Sequence, residues 1–579
     1  MGILQKIKAA DLPQQNETSK IMISIGTVFS KLKGKLDRIV INKIDEELSC
    51  WQEGAQFTRP YRKGFWDGYI RFLKKREQIF PTGFIGNVCR ILDKENILYT
   101  VSDTRKHLKI SSASIEKAIL SKKNIKPRQY QIKAVIKALE SECGIINIPT
   151  GTGKTLIINL IIKAIDIEAK KKVKHLIITS GLSLLTQLRE EISKFQDEDI
   201  GFIGESIWDK KRITVASIDS LFRVVGDKSS LKKKSKKSMK TYMAKKSNLK
   251  KKKIVKSLLT EVTTLFLDEA HHSPAKTFRD VIYKTTAPIR IGTTATYIRS
   301  GSNDMLLHAV TGKITYKKSI SWMIDKGYLA KPTIILMEYE GEDRSTSEID
   351  KEYSKILEEK YGKIRAYKKY KKAKSWNKIY TVQVSHNNER NLLLATVLNE
   401  FYKFSLNSVL FVTEKYQGEF IYNKCISEFN IIDHKMSFLS GSDSVEEVRK
   451  PVLKQFQKGK IRTIICTRIL NEGIDFPEAN VGIRAGAQMF EGNIIQQLGR
   501  ILRKVKKPLA RDINRNELQR VFWFDLLDFH NKHLANHSLE RIKTYESESA
   551  FDVRFIKSIN GLKKILNEQI KDVKIIRMK

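Results

Sequence analysis

The chain has 579 residues, 41% of them hydrophobic, and its net charge of +43 arises from 107 lysine and arginine residues against 64 acidic ones. This length allows three to five domains, and this charge favours a polyanionic partner, either nucleic acid or an anionic membrane surface. No run of about 18 apolar residues is present, which excludes a membrane-spanning helix. We attribute roughly a third of the basic excess to the lysine bias of an AT-rich genome.

The five cysteines are scattered along the chain and include no C-x-x-C pair: Cys50, Cys89, Cys143, Cys425 and Cys466. This spacing argues against a zinc site and against structural disulfides. We therefore expect a protein of the reducing cytoplasm, which is the host cytoplasm if the chain is viral.

Residues 1–122 are predicted to form a small α+β domain that contacts duplex DNA. Six basic residues are candidates for its phosphate contacts: Arg62, Lys63, Arg71, Lys74, Lys75 and Arg76. The aromatic side chains around Trp66 have two interpretations: they fill the core of the domain, or they form a wedge or base contact at a junction. Because large aromatic side chains of a small domain are usually buried, we favour the core.

Two series of short apolar runs, separated by helical patterns, follow this domain. Such runs are typical of strands buried on both faces of a parallel sheet. They predict strands at 144–148, 175–179, 212–216, 264–267 and 289–292, and again at 408–412, 436–439, 463–466, 481–484 and 521–524. We therefore predict two tandem α/β domains, at 123–330 and 331–545, and a C-terminal tail at 546–579.

Two basic segments interrupt this rhythm. Residues 228–256 contain fourteen lysines and no acidic residue. This is typical of a solvated loop or a mobile arm, and an electrostatic clamp on phosphates is the functional alternative. Residues 361–376 interleave seven basic with four aromatic residues. They predict an amphipathic helix, which we favour, or a groove that follows a nucleic-acid backbone with stacking platforms.

The segment Pro149–Thr155, with the sequence PTGTGKT, lies between a predicted strand and an apolar helix. A phosphate-binding loop requires this context, because backbone N–H groups and the helix N-terminus then point at the anion. Lys154 would neutralise the β- and γ-phosphates, and the Thr155 hydroxyl would bind Mg²⁺. The sequence therefore predicts a site for ATP and Mg²⁺, with the phosphates surrounded by Thr150, Gly151, Thr152 and Gly153.

An acidic group must accompany such a loop to hold the metal. The strand at 264–267 is followed by the sequence DEAHH. A carboxylate at the end of a buried strand is costly unless it serves a metal or a partner, so Asp268 is predicted to hold Mg²⁺. Glu269 is predicted to be the general base that polarises water. His271 is predicted to couple the ATP site to a nucleic-acid site rather than to bind metal.

These motifs and those that follow occur in the order found in DEAH-type superfamily 2 helicases, which the chain resembles over roughly residues 124–530. The resemblance implies two RecA-like domains with ATP between them. In the first domain it implies adenine recognition by Arg128 and Gln131, contacts to the DNA backbone by Ser180 and Gln187, and coupling of hydrolysis to movement by Thr294 and Thr296.

In the second domain, the resemblance implies a motif that contacts nucleic acid and ribose through Thr467, Gly473 and Asp475. It also implies an arginine-finger motif of the form Q-x-x-G-R-x-x-R, which supplies Gln496, Arg500 and Arg503. An arginine from the second domain can neutralise charge on a phosphoryl group held by the first, so catalysis requires the two domains to close.

Residues outside these motifs resemble the UvsW-type branch-specific DNA helicases of T-even phages. The similar stretches are 61–71, 80–86, 524–528, 537–538 and 541–546. The resemblance implies an enzyme that remodels forks, Holliday junctions and R-loops in recombination-dependent replication and repair. Its implied partners are branched or duplex DNA or an RNA–DNA hybrid, with recombination and single-strand-binding proteins as further candidates. The lysine segment at 228–256 is foreign to that family's pattern.

Three other functions remain as alternatives. They are an RNA helicase, the translocating subunit of a restriction system, and an ATP-gated clamp that binds and anneals nucleic acid without processive motion. No nuclease motif accompanies the core, which disfavours the restriction system. All the hydrolytic residues are present, which favours an active ATPase.

If the lysine segment clamps phosphates, deleting residues 232–253 should flatten the dependence of DNA affinity on salt, because each phosphate contact adds to that dependence. Binding constants measured between about 50 and 200 mM salt check this. An unchanged slope would make the segment a passive arm.

Overall fold

Three sheets, of four, eight and seven strands, follow one another along the chain. The computed structural model describes residues 21–105, 107–226, 247–295, 301–431, 433–441, 443, 445–467, 476, 478–489, 491–503 and 521–576. Within this part of the chain, no helix is both long and apolar enough to cross a membrane.

The N-terminal unit combines a mixed sheet with helices, in agreement with the predicted α+β class. Its strands β1, β2, β5 and β6 form the sheet in the order β5-β2-β1-β6, and β3 pairs with β4 in a separate antiparallel ribbon. The elements are β1 (Ile21–Ile25), β2 (Phe29–Lys33), α1 (Arg38–Glu47), β3 (Ser49–Trp51), α2 (Arg59–Arg62), β4 (Tyr69–Arg71), β5 (Ile79–Pro81), α3 (Ile85–Lys94), β6 (Tyr99–Asp103) and α4 (Ser112–Leu120).

The aromatic residues of this unit divide into two groups. Phe72, Phe80 and Phe84 are buried, as the core interpretation predicts. The interpretation is wrong for Phe57, Tyr61 and Phe65 of the β3–β4 loop and for Tyr69 of β4, which are exposed, whereas Trp66 is half-buried. The loop folds back on itself through its own backbone hydrogen bonds and so cannot bring these rings into the core.

The first α/β domain has the strand order β10-β9-β11-β8-β12-β13-β7-β14, parallel except for β10. All five predicted strands are present, and β9, β10 and β14 are additional. The elements are α5 (Gln129–Ser141), β7 (Cys143–Asn147), α6 (Lys154–Glu168), β8 (His175–Thr179), α7 (Leu182–Gln196), β9 (Gly201–Gly204), β10 (Ile207–Asp209), β11 (Ile213–Ser217), α8 (Ile218–Val225), α9 (Ser247–Glu261), β12 (Thr264–Asp268), α10 (Lys276–Ile282), β13 (Ile289–Thr294), α11 (Gly301–Thr311), β14 (Ile314–Lys317) and α12 (Ile320–Asp325).

The N-terminal unit packs directly on this domain through helix α11. Leu306 and Ala309 of α11 belong to the same hydrophobic core as Phe80 and Phe84. At Gly83 the two backbones approach so closely that a Cβ atom would lie 1.9 Å from the carbonyl oxygen of His308. The N-terminal unit is therefore joined to the first α/β domain by a packed interface.

The described part of the lysine segment is not a loop. Residues 227–246 lie outside the described residues, but helix α9 begins at Ser247 and buries Val255, Leu258 and Leu259 in the core. The apolar residues at the end of the segment are spaced to bury one face of a helix, and this spacing determines the local structure despite the high charge. A deletion confined to 232–246 leaves this helix intact.

The second α/β domain has seven parallel strands in the order β17-β18-β16-β19-β20-β15-β21. It contains the five predicted strands, and the two-domain α/β architecture is confirmed. The elements are β15 (Pro332–Tyr339), α13 (Thr346–Tyr361), α14 (Lys363–Tyr370), α15 (Ser375–Tyr380), α16 (Asn388–Lys403), β16 (Ser408–Phe411), α17 (Lys415–Ser427), β17 (Met436–Leu439), α18 (Lys450–Gln457), β18 (Thr463–Cys466), β19 (Val481–Arg484), α19 (Glu491–Ile501), β20 (Val521–Asp528), α20 (Lys532–Glu546), β21 (Asp552–Ile556) and α21 (Ile559–Ile576).

The basic and aromatic segment at 361–376 is helical, in agreement with the favoured interpretation. Helices α13, α14 and α15 form an insertion between β15 and β16, with a small core of their own around Tyr353, Leu357 and Ala366. Several lysines stack on tyrosines here, for example Lys369 with its Nζ 3.5 Å from the ring centre of Tyr361.

The stretch 546–579 differs from the predicted tail. Strand β21 pairs in parallel with β15 at the edge of the second sheet. Helix α21 buries Leu562 and Leu566 in the core of the domain. An edge strand contacts the sheet on one side only, so its apolar pattern is weak, and this is why the sequence did not indicate it.

Replacing Leu562 by alanine should lower the free energy of unfolding by about 2–5 kcal/mol, because a fully buried leucine leaves a cavity. Thermal unfolding followed by circular dichroism measures this as a shift of about 2–4 °C per kcal/mol. Leu539→Ala, at a position where 48% of the residue is exposed, is the matched control. Equal stability of the two variants would contradict a folded C-terminal segment.

Candidate functional site

The predicted phosphate loop lies at the carboxyl end of β7 and leads directly into α6. Gly151 and Gly153 have φ angles of +81° and +86°, which glycine adopts without strain. Tyr130 Oη and Gln131 Nε2 donate to the carbonyl oxygen of Thr152, at 2.6 and 2.9 Å. Two side chains of α5 therefore stabilise the curved backbone of the loop.

The loop fits a bound phosphate group. The buried hydroxyl of Thr150 has no hydrogen-bond partner among the described residues, and such a group calls for a ligand. The backbone turns at Gly153 so that Lys154 and Thr155 form the first turn of α6, where N–H groups favour an anion. A nucleoside triphosphate such as ATP would fit this arrangement.

Two carboxylates and one amine lie at the centre of the site. Lys154 Nζ donates to Glu269 Oε1 at 3.0 Å, and both side chains are almost completely buried. Thr293 Oγ1 donates to Asp268 Oδ1 at 2.9 Å. Burial and the adjacent Glu269 carboxylate raise the pKa of Asp268 to about 6. A bound cation would oppose that effect, so the position of Asp268 suits a metal.

Glu269 has the opposite electrostatic environment. Lys154 and His271 hold the pKa of Glu269 well below its usual range, despite the burial that would raise it. Its backbone has a φ of +50°, which is uncommon for a residue other than glycine. Residues in such conformations occur at functional sites, where the surrounding structure holds them in place.

His271 links three parts of the site. Its Nδ1 lies 3.1 Å from Thr294 Oγ1, and its Nε2 lies 3.3 Å from Gln496 Nε2 in the second domain. Because the amide nitrogen of Gln496 donates, Nε2 accepts and Nδ1 carries the proton. Burial lowers the pKa of His271, so the neutral ring is favoured. The imidazole ring of His271 thus connects the predicted hydrolytic site with Thr294 and with the second domain.

Helix α19 of the second domain lies against the phosphate loop. A Cβ atom at Gly151 would lie 2.6 Å from Cγ and Nε of Arg503, and one at Gly499 would lie 3.3 Å from Cβ of Thr150. Arg500, one turn before Arg503, is buried. The connection between the domains is also fixed here, since Ala330 N donates to Leu502 O at 2.9 Å. The two domains therefore share one closed cleft.

Sequence reasoning missed three buried arginines that support α19. They donate to carbonyl groups of the segment 485–488, which leads into this helix: Arg390 to Ala485 and Arg541 to Ala487, each at 2.7 Å, and Arg484 to Gln488 at 2.6 Å. Arg390 also pairs with Asp528, and Arg541 with Asp525. Charged residues in the apolar run 521–528 were the signal that could have revealed them.

The residues predicted to read adenine have other partners here. Gln131 uses its amide oxygen to accept from Arg128 N, at 2.8 Å, as well as donating to the phosphate loop. The guanidinium carbon of Arg128 lies 4.5 Å from the ring centre of Tyr328, between the two domains. In this arrangement both residues brace the loop, and adenine recognition stays a prediction.

Two of the three described residues that are predicted to contact nucleic acid lie at the carboxyl ends of strands. Ser180 follows β8 directly and Thr467 follows β18, one in each domain, while Gln187 lies on α7 and donates to Glu191. Thr296, Gly473 and Asp475 lie outside the described residues.

Comparisons with known proteins agree with this arrangement. Residues 124–299 match the family described as type III restriction enzyme, res subunit, and residues 394–505 match the helicase conserved C-terminal domain. The DNA 3'-5' translocase XPB2 of Sulfurisphaera tokodaii is 25% identical over 435 residues, which cover 71% of this chain and 88% of that protein.

Two further matches concern UvsW. The ATP-dependent DNA helicase uvsW of Enterobacteria phage T4 is 26% identical over 175 residues, which cover 29% of this chain and 34% of that protein. A crystal structure of T4 UvsW aligns with 93% of this chain and 99% of its own, at 17% identity and a TM-score of 0.39.

The phosphate loop of the first α/β domain lies against α19 and Arg503 of the second. Together with the two matched domains, this arrangement defines a helicase-type ATPase core. The chain contains both matched helicase-type domains and is similar to superfamily 2 helicases, UvsW among them. The predicted resemblance is confirmed at this level.

Replacing Arg503 by alanine should leave ATP binding in place and lower the rate of hydrolysis by about 10³–10⁵, the usual contribution of an arginine finger. Single-turnover hydrolysis and equilibrium binding of a fluorescent ATP analogue separate the two effects. Arg554→Ala, on edge strand β21 of the same domain, is the control. An unchanged rate in the Arg503 variant would remove this residue from the catalytic role.

Proposed function

We propose that the chain is an ATP-driven, nucleic-acid-stimulated DNA translocase and helicase that remodels branched DNA such as forks, Holliday junctions and R-loops. The observation that carries this proposal is the shared cleft. Arg503 contacts the phosphate loop, and His271 contacts Gln496 across the two domains. Binding or hydrolysis of a nucleotide at the phosphate loop would therefore alter contacts of both domains at the same time.

The ion pair between Lys154 and Glu269 accounts for how the site responds to nucleotide. Lys154 exchanges the carboxylate for phosphate oxygens, and this leaves Glu269 to orient and deprotonate water. Thr155 and Asp268 would hold Mg²⁺, and a bound Mg²⁺ would neutralise charge on the phosphates. Hydrolysis then changes the contacts of Gln496 and Arg503, so the domains separate and close in a cycle that moves the DNA.

The nucleic acid is proposed to cross the carboxyl ends of both sheets, past Ser180 and Thr467. Ligands of open α/β sheets bind at these ends. The net charge of +43 supplies attraction to the phosphate backbone. Preference for DNA is supported by the names of the relatives, which describe a DNA translocase and a DNA helicase.

Replacing Lys154 by alanine should abolish ATP turnover while leaving salt-sensitive DNA binding nearly intact, because the phosphate contact is lost and the DNA surface is not. Steady-state hydrolysis and DNA binding measured on one preparation check this. Lys163→Ala, on the same helix α6, is the control and should turn over ATP normally. Normal turnover by the Lys154 variant would refute the phosphate-loop assignment.

The substrate is tested by comparing unwinding and ATPase stimulation on single strands, duplexes, forks, four-way junctions and RNA–DNA hybrids. Forks and four-way junctions should stimulate the wild-type chain most. Preference for RNA would favour an RNA helicase, and hydrolysis with annealing but no unwinding would favour an ATP-gated clamp.

A further inference from the structure

Five aromatic side chains are exposed on the β3–β4 ribbon and its loop, which precede the phosphate loop in the sequence and belong to the N-terminal unit. We call this surface the aromatic patch. It consists of Phe65, Phe57, Tyr69, Trp51 and Tyr61, which expose 81%, 71%, 44%, 36% and 36% of their surface. Exposed apolar surface that is concentrated in one place is unfavourable in water and marks an interaction site.

The patch is held in a defined shape. Trp51 and Tyr69 are directly opposite each other in the ribbon, and the ring centre of Trp51 lies 5.4 Å from that of Tyr61 in an edge-on arrangement. A Cβ atom at Gly68 would lie 2.3 Å from the Trp51 ring, so only glycine allows the indole to lie there. The indole N–H of Trp66 donates to Tyr69 O at 2.8 Å.

Positive charge accompanies these rings. Arg59, Arg62 and Lys63 are exposed on and just after α2, between Phe57 and Phe65. The loop also contains two acidic residues, Glu53 and Asp67, and Asp67 is paired with Arg71, so the loop together with Arg71 keeps a net positive charge. Aromatic rings interleaved with cations suit nucleic acid, because bases stack on the rings while phosphates contact the cations. An apolar protein partner would not require these cations.

The patch is fixed to the first α/β domain. Leu48 and Cys50, next to and within β3, share a hydrophobic core with Leu306 and Ala309 of α11. Helix α11 follows strand β13, whose last residue Thr294 contacts His271. A base bound at the patch would therefore stay fixed relative to the phosphate loop while the second domain moves.

We propose that the aromatic patch binds unpaired bases at the branch point of a DNA substrate, by stacking on Phe57 and Phe65, while Arg59, Arg62 and Lys63 contact the adjoining phosphates. This inference rests on the proposed function in DNA remodelling. It assigns the recognition of the branch itself to the N-terminal unit, and the movement of DNA to the two α/β domains.

The test is the double variant Phe57→Ala/Phe65→Ala in the full-length chain, because both side chains are exposed and their loss should not impair folding. The substrate is a fork with 2-aminopurine at the branch point, and a blunt duplex of equal length is the reference. The matched control is Ile39→Ala/Leu98→Ala, which removes two exposed apolar side chains of the same unit outside the patch.

The double variant should bind the fork at least tenfold more weakly, since each stacked base contributes to affinity, and should no longer quench 2-aminopurine. Its affinity for the blunt duplex and its ATP turnover at saturating DNA should stay unchanged, as should all properties of the control. Equal loss on fork and duplex, or retained affinity and quenching on the fork, would overturn the patch proposal. A wild-type chain that binds no DNA would instead overturn the proposed function.

Discussion

The contact between Arg503 and the phosphate loop is the constraint on which the rest of the site depends. Lys154, Glu269 and Asp268 belong to one sheet and Arg503 to the other, so charge on a phosphoryl group can be neutralised completely only when the two sheets approach. His271 adds a second link through Gln496. In the function proposed above, the same cleft binds the nucleotide and connects the two domains, so nucleotide chemistry and domain position would be coupled through the same side chains.

This contact between the domains requires a rigid support, which the second domain supplies through three buried arginines. Arg390, Arg484 and Arg541 are buried, and their guanidinium groups hold the backbone of 485–488 through its carbonyl oxygens. Buried charge is costly unless it is paired, and Asp528 pairs with Arg390 while Asp525 pairs with Arg541. A network of this kind specifies one geometry, because a displaced carbonyl would leave a buried guanidinium N–H group without its acceptor.

Much of the core architecture could be predicted from the sequence, because buried parallel strands are continuous apolar runs and the phosphate loop has a strict spacing. Strand β21 and helix α21 could not, since the edge position leaves only a weak pattern and the pairing of β21 with β15 spans more than two hundred residues. The exposed rings of the aromatic patch escaped for another reason. Composition indicates how many aromatic residues a unit has, whereas the backbone of the β3–β4 loop decides which of them reach the core.

The position of β15 has a consequence for biosynthesis. This strand begins the second domain, yet both of its neighbours, β20 and β21, are translated last. At about 5–20 residues per second, the first domain can fold on the ribosome while β15 remains without a partner for about 9–36 s, until β20 is synthesised. The apolar strand must therefore be shielded during that interval, and the second sheet is complete only once β21 has been synthesised.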